Sequence, residues 1–159
     1  MQSCAFNDLE GIRIAAEMEK RGGDFYKLAA RVSRSQETKE ILTALAEDEA
    51  VHLSEFQKLH ERALAQEDVQ PYAPERAAYL TALAADIAFP KGVVGVAQHL
   101  ENPRAILEHA IQSEEDSIRF YSELAQDVAC SQAAGVFNDI IRQEKGHLNR
   151  LQKMLSELE

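Results

Sequence analysis

Two short stretches carry the chemistry this sequence can do: Glu49-Ala-Val-His52 and Glu144-Lys-Gly-His147. Each sets a carboxylate and an imidazole three residues apart, which on a helix puts both side chains on one face about one turn apart. A Glu and a His so placed can grip one metal ion from one side. Either pair alone is a weak signal, because Glu-x-x-His arises by chance in many helices. The register strengthens it. Glu144 and His147 lie 95 residues after Glu49 and His52, and the same offset carries Glu19 onto Glu114 and Phe25-Tyr26 onto Phe120-Tyr121. Each lone Glu precedes its Glu-x-x-His by 30 residues and its Tyr by seven. The pattern reads as an internal duplication, with Glu19, Glu49, His52, Glu114, Glu144 and His147 as ligands of a pair of metal ions.

Charge supports that reading. Four carboxylates and two imidazoles converging in an apolar core are unfavourable when nothing binds them: burying each charge costs several kcal/mol, and close carboxylates push each other's pKa up. Two divalent cations balance four Glu, and metal–ligand bonds offset the desolvation. Oxygen-rich coordination with one His per ion suits iron or manganese, whereas structural zinc more often takes Cys in a closed tetrahedron. Glu19 and Glu114 would each serve mainly one ion, and Glu49 and Glu144 would bridge both, the ligand pattern of di-iron carboxylate bundles. Tyr26 and Tyr121 are the candidate catalytic side chains beyond the ligands. Seven residues is two turns, so each lies on the ligand face, where it either hydrogen-bonds a ligand carboxylate or simply packs. His60, His99 and His109 fall outside the register and read as ordinary residues.

Helices must hold these groups. Asn7 or Asp8 can cap the first, whose stripe runs through Leu9, Ile12, Ala15, Ala16, Tyr26, Ala29 and Ala30, with Glu19 on it. Gly22-Gly23 weakens this helix, and the pair either makes room near the site or is a tolerated surface feature. Ser33-Arg34-Ser35 is a break, with Ser35 a plausible cap. The second helix runs from about Gln36 into the sixties, striped by Ile41, Leu42, Leu45, Leu53, Phe56 and Leu59. So short a link predicts an antiparallel hairpin. Asn102 caps a third helix with Pro103 in its first position, and the helix stops near Val128. Ser131 is expected to cap the fourth, whose stripe runs from Val136 to Leu155 and is interrupted by Glu144 and His147. Duplicating a hairpin about a two-fold leaves the second and third helices parallel, so the link between them must travel about 40 Å for some 26 residues at 1.5 Å rise. Residues 66–102, which have no counterpart in the repeat and include an alanine-rich helical stretch from Glu75 to Ala88, can make that crossover. The expected fold is all-α: one domain over 1–159, an antiparallel four-helix bundle of two duplicated hairpins joined by a long crossover.

Composition bounds the function. With 159 residues, 45% of them apolar and 28% charged, the chain is long enough for one domain with a real core. A formal net charge of −10 argues against nucleic acid and anionic membrane as partners. Cys4 and Cys130 form no Cys-x-x-Cys and read as free thiols in a reducing cytoplasm. The N-terminus has no basic start with a long apolar run, so no signal peptide is expected, and no stretch is long and apolar enough to span a bilayer.

On Glu19 with Phe25-Tyr26, Glu49-x-x-His52, Glu114 with Phe120-Tyr121, and Glu144-x-x-His147, the chain resembles the rubrerythrin branch of the ferritin-like superfamily over nearly its whole length except the crossover. The resemblance implies two iron ions, with zinc or manganese as possible substitutes. The diferrous pair would give two electrons to hydrogen peroxide or dioxygen and become an oxo- or hydroxo-bridged diferric pair. It also implies a homodimer. Rubrerythrins usually add a rubredoxin domain with paired Cys-x-x-Cys motifs. None occurs in these 159 residues, so electrons are expected from a separate donor protein. Rubrerythrins also tend to carry a Glu three residues after the lone Glu of the third helix, which one iron takes in exchange for its His. Here that position is Ser117, and its repeat mate is Gly22, a set closer to a ferroxidase or oxidase centre. The alternatives are a ferroxidase for iron storage or delivery and a non-catalytic metal-binding bundle.

Overall fold

The computed structural model describes residues 9–65, 74–85, 102–127 and 131–158. These form five helices: α1 Leu9–Val32, α2 Gln36–Leu64, α3 Pro74–Ala85, α4 Pro103–Asp127 and α5 Ser131–Glu157. No strand occurs among the described residues. The four long helices make the expected four-helix bundle, with α1–α2 and α4–α5 as its two hairpins and α3 as the helix of the crossover.

Local chemistry sets the ends. The Ser35 hydroxyl accepts from the Thr38 amide at 3.3 Å, which caps α2 and fixes the tight α1–α2 turn. Asn102 accepts from the Arg104 and Ala105 amides at 3.0 and 3.4 Å, with Pro103 opening α4. Arg104 also donates to the Leu158 carbonyl at 3.0 Å, tying the start of α4 to the end of α5. α5 begins at Ser131 itself, a residue earlier than a capping role would have it. The proposed caps Asn7 and Asp8, the thiols Cys4 and Cys130, and positions 86–88 at the end of the alanine-rich stretch lie outside the described residues.

The hairpins are joined across the bundle in a definite sense. Tyr121 reaches Glu19, and Tyr26 reaches Glu114. On α1 the Tyr follows the Glu by seven residues, and its contact on α4 moves backward by the same seven, so α1 and α4 run antiparallel. His52 meets Glu144 and His147 meets Glu49, which sets α2 and α5 antiparallel by the same logic. α2 and α4 are therefore parallel, as a duplicated hairpin requires.

Two apolar clusters fill the bundle, one on each side of a polar layer. Ile12, Ala15, Phe56, Tyr121, Leu124 and Phe137 are among the members of the first. Phe25, Tyr26, Leu42, Leu45, Leu107 and Leu151 are among those of the second. Each repeat contributes its Phe-Tyr pair to the opposite cluster. Gly22 and Gly23 are buried, so the surface reading of that pair does not hold. A Cβ on Gly23 would lie 3.6 Å from the Cβ of Glu49, which places this part of α1 directly against the ligand-bearing turn of α2.

Candidate metal centre

Between the two clusters the six charged side chains of the register come together. Glu19, Glu49, His52, Glu114, Glu144 and His147 are all at most 3% exposed. Groups this polar stay buried only with partners of opposite character. Their ligand atoms fall into two sets: Glu19, Glu49, His52 and Glu144, and Glu49, Glu114, Glu144 and His147. Within each set one oxygen or nitrogen from every residue lies within 4.8 Å of the others. Glu49 and Glu144 belong to both sets. Glu19 with His52, and Glu114 with His147, belong to one each.

Both imidazoles present Nδ1 to the centre. His52 Nδ1 lies 3.1 Å from Glu144 Oε1 and 3.4 Å from Glu19 Oε2. His147 Nδ1 lies 2.9 Å from Glu144 Oε2, 3.2 Å from Glu49 Oε1 and 3.6 Å from Glu114 Oε1. The two rings stack with centroids 5.6 Å apart. Short as these distances are, Glu19 Oε2, Glu49 Oε1, Glu144 Oε2 and His147 Nδ1 have no hydrogen bond of sound geometry among the described residues. Four buried polar atoms from three helices, aimed inward and without such a bond, fit metal ions better than they fit each other.

Electrostatics give the same answer. Burial, then the negative charges of Glu144 and Glu19, push Glu49 well above the ordinary carboxylate value; burial, then Glu114 and Glu19, do the same to Glu144. Burial also opposes charge on Glu19, but contacts with Glu49, His52 and Tyr121 outweigh it and hold that carboxyl low. Burial pulls the imidazoles down, yet their carboxylate neighbours push His52 up to about 11 and His147 up to about 10. Without cations the raised groups hold protons that offset buried negative charge. Two dications can take over that role.

The tyrosines hydrogen-bond ligand carboxylates and also pack in the core, so the two readings of them are both true. Tyr121 donates to Glu19 Oε1 at 2.5 Å, and Tyr26 donates to Glu114 Oε1. Each belongs to the opposite hairpin from the Glu it holds. Burial first, then the adjacent carboxylate charge, raises both phenols well above 10.0, so they remain donors. Among the ordinary histidines, His109 is half-buried with its ring 5.4 Å from that of Phe25, His60 is half-buried on α2, and His99 lies outside the described residues.

Two residues at the site were not singled out from the sequence. Asp48 Oδ2 lies 3.1 Å from His147 Nε2, and Gln143 Oε1 lies 2.9 Å from His52 Nε2. Both immediately precede a bridging Glu and are themselves 95 residues apart, so the repeat register, read one position further upstream, points to them.

A family model described as Rubrerythrin matches residues 10–88 and 105–159, leaving out the first nine residues and 89–104. A crystal structure of a protein from Thermotoga maritima, described as a ferritin-like diiron-carboxylate protein, superposes with a TM-score of 0.72 at 27% identity, covering 96% of this chain and 97% of that one. Comparison with curated proteins finds no match.

Proposed function

Because the chain belongs to the rubrerythrin family, we propose that it is a non-haem di-iron redox protein whose reduced iron pair is oxidised by hydrogen peroxide or dioxygen. The observation that carries this reading is the sharing of ligands: two buried sets, each with its own Glu and His, overlapping in Glu49 and Glu144. A single-ion site has no use for that overlap. Two irons held by these six residues would supply two electrons to the oxidant.

The chain's own residues do the rest. Glu49 and Glu144, from opposite hairpins, hold the two positions together. Glu19 and Glu114 close the outer ends. Tyr121 anchors Glu19 by Oε1 and leaves Oε2 unbonded toward the centre, so the carboxylate has one fixed oxygen and one free to bind. The tyrosines thus act through the ligands and are positioning residues. Apolar clusters above and below keep bulk water from the layer. Electrons to reset the centre come from a separate donor protein, and the working unit is a homodimer in the cytoplasm. No described helix is long and apolar enough to cross a membrane.

Anaerobic loading with Fe(II), followed by a peroxide or oxygen pulse, tests the proposal. Two irons per chain and the absorption of a coupled ferric pair are expected, and loading without any such absorption sinks it. A ferroxidase is the second reading. It is favoured by Ser117, buried where an exchangeable carboxylate would stand, and by the lack of a fifth carboxylate in either ligand set among the described residues. Storage needs a closed shell of many subunits, so light scattering separates it from a dimer. Metal analysis of protein purified without added metal separates both from a bundle that merely holds zinc or manganese.

A further inference from the structure

The repeat makes the two halves of the centre equivalent in almost every contact. Glu19 matches Glu114, His52 matches His147, and Tyr121 on Glu19 matches Tyr26 on Glu114. Behind the two imidazoles the match fails. Behind His147 stands a carboxylate, Asp48, at 3.1 Å from Nε2; behind His52 stands an amide, Gln143, at 2.9 Å from Nε2. We propose that this one difference makes the two metal positions unequal, the one at Glu114 and His147 binding its ion first and more tightly. The inference rests on the two-ion reading above.

The argument is about donors and acceptors. A carboxylate only accepts hydrogen bonds, so when His147 gives up one proton Asp48 favours keeping the other on Nε2 and leaving the lone pair of Nδ1 to the centre. That is the tautomer a metal needs. An amide offers both an oxygen and an NH2. By turning over, Gln143 can donate to Nε2 of His52 as readily as it accepts. His52 then carries its proton on Nδ1, where it points at Glu144 and Glu19 and blocks the metal. Binding on the His52 side must select one of two arrangements; on the His147 side the selection is built in. The negative charge of Asp48 also makes its imidazole a stronger donor to a cation. Asp48 is 45% exposed, so water damps the charge effect, but the acceptor-only constraint does not depend on screening.

The test titrates the full-length apoprotein with Fe(II) anaerobically in a calorimeter. In parallel, anomalous scattering locates iron in crystals loaded with one equivalent. Two resolved steps are expected, with the first iron beside His147. Asp48→Asn should weaken the first step about ten- to a hundred-fold, the usual range for groups behind a metal-bound histidine. Gln143→Asp should strengthen the second step in the same range without weakening the first, and as a gain it cannot be mistaken for misfolding. Two irons bound with equal occupancy at one equivalent, or both variants titrating like wild type, overturn the inequivalence while leaving the two-ion centre standing. Failure of the wild-type chain to place two irons among the six ligands overturns the two-ion reading, and the inequivalence with it.

Discussion

A tyrosine hydroxyl buried against a carboxylate does two things: it removes an otherwise uncompensated lone pair, and it fixes which oxygen faces the metal. Tyr121→Phe deletes the donor at 2.5 Å from Glu19 Oε1 and leaves that oxygen buried. Hydrogen bonds to charged groups are worth about 1.5–3 kcal/mol. The metal-free variant should lose roughly that much in denaturant unfolding, and its iron affinity should fall on the His52 side while the His147 side is little changed. Tyr26→Phe should give the mirror image through Glu114. An unchanged unfolding midpoint together with an unchanged titration would mean that the tyrosines merely pack. The shared carboxylates make a sharper contrast. Glu49→Ala takes a ligand from both sets and Glu19→Ala from one. Metal analysis after Fe(II) loading should find close to no retained iron in the first and about one iron per chain in the second, by analogy with single-ligand loss from a preformed site.

The helices carry a different kind of strain. α1 accepts Gly22-Gly23 in its middle, where each Gly costs about 0.5–1 kcal/mol relative to Ala. A Cβ at position 23 would meet the Glu49 Cβ at 3.6 Å, an ordinary contact. Gly23→Ala is therefore expected to raise stability by up to about 1 kcal/mol, read as a higher unfolding midpoint with iron stoichiometry unchanged. A lower midpoint would show that the α1–α2 approach is tighter than this contact implies. Ser35→Ala should cost about 1 kcal/mol by removing the α2 cap. These elements were largely legible in the sequence, and for physical reasons. Amphipathic stripes with a period of 3.6 mark the helices, and Ser35, Asn102 and Pro103 mark their starts, because each satisfies or avoids an orphan amide. The meeting of the six charged residues in one buried layer was legible because a charged residue inside an apolar stripe, repeated at one offset, is hard to explain otherwise. The cross-pairing was not. A repeat says which residues are equivalent but not which ones meet across the bundle, so Tyr26 on Glu114 and Tyr121 on Glu19 had to come from the fold. Asp48 and Gln143 went unread because they sit on the polar side of their helices, where unlike residues in a repeat look like surface variation. The core status of Gly22-Gly23 was ambiguous because a glycine carries no hydropathy signal of its own.

For the molecule as a whole, the polar layer couples folding to protons and to metal. The metal-free folded state binds protons that the unfolded chain releases. Glu49 and Glu144 are raised from 4.5 by burial and neighbouring carboxylates, while His52 and His147 are raised from 6.5 to about 11 and about 10. A histidine raised by its partners contributes stability that is complete below 6.5 and disappears as pH climbs through its folded value. A carboxyl raised by burial acts in the same direction from 4.5 upward, because the folded state loses a proton only against resistance. Glu19, held low, works the other way and matters only as pH falls below 4.5. The apoprotein should therefore melt at progressively lower temperature as pH rises from 6 toward 9. Two dications reverse the dependence. They bind the deprotonated ligands, so loading releases protons and is favoured at high pH. The rise in melting temperature produced by saturating Mn(II) should accordingly grow across the same interval. Calorimetric titrations of Mn(II) in buffers of different ionisation enthalpy should report protons released per ion bound. A metal-induced shift that stays flat with pH, or loading without proton release, would mean that the layer is neutralised by some means other than its own protons, and the charge balance underlying the centre would have to be abandoned.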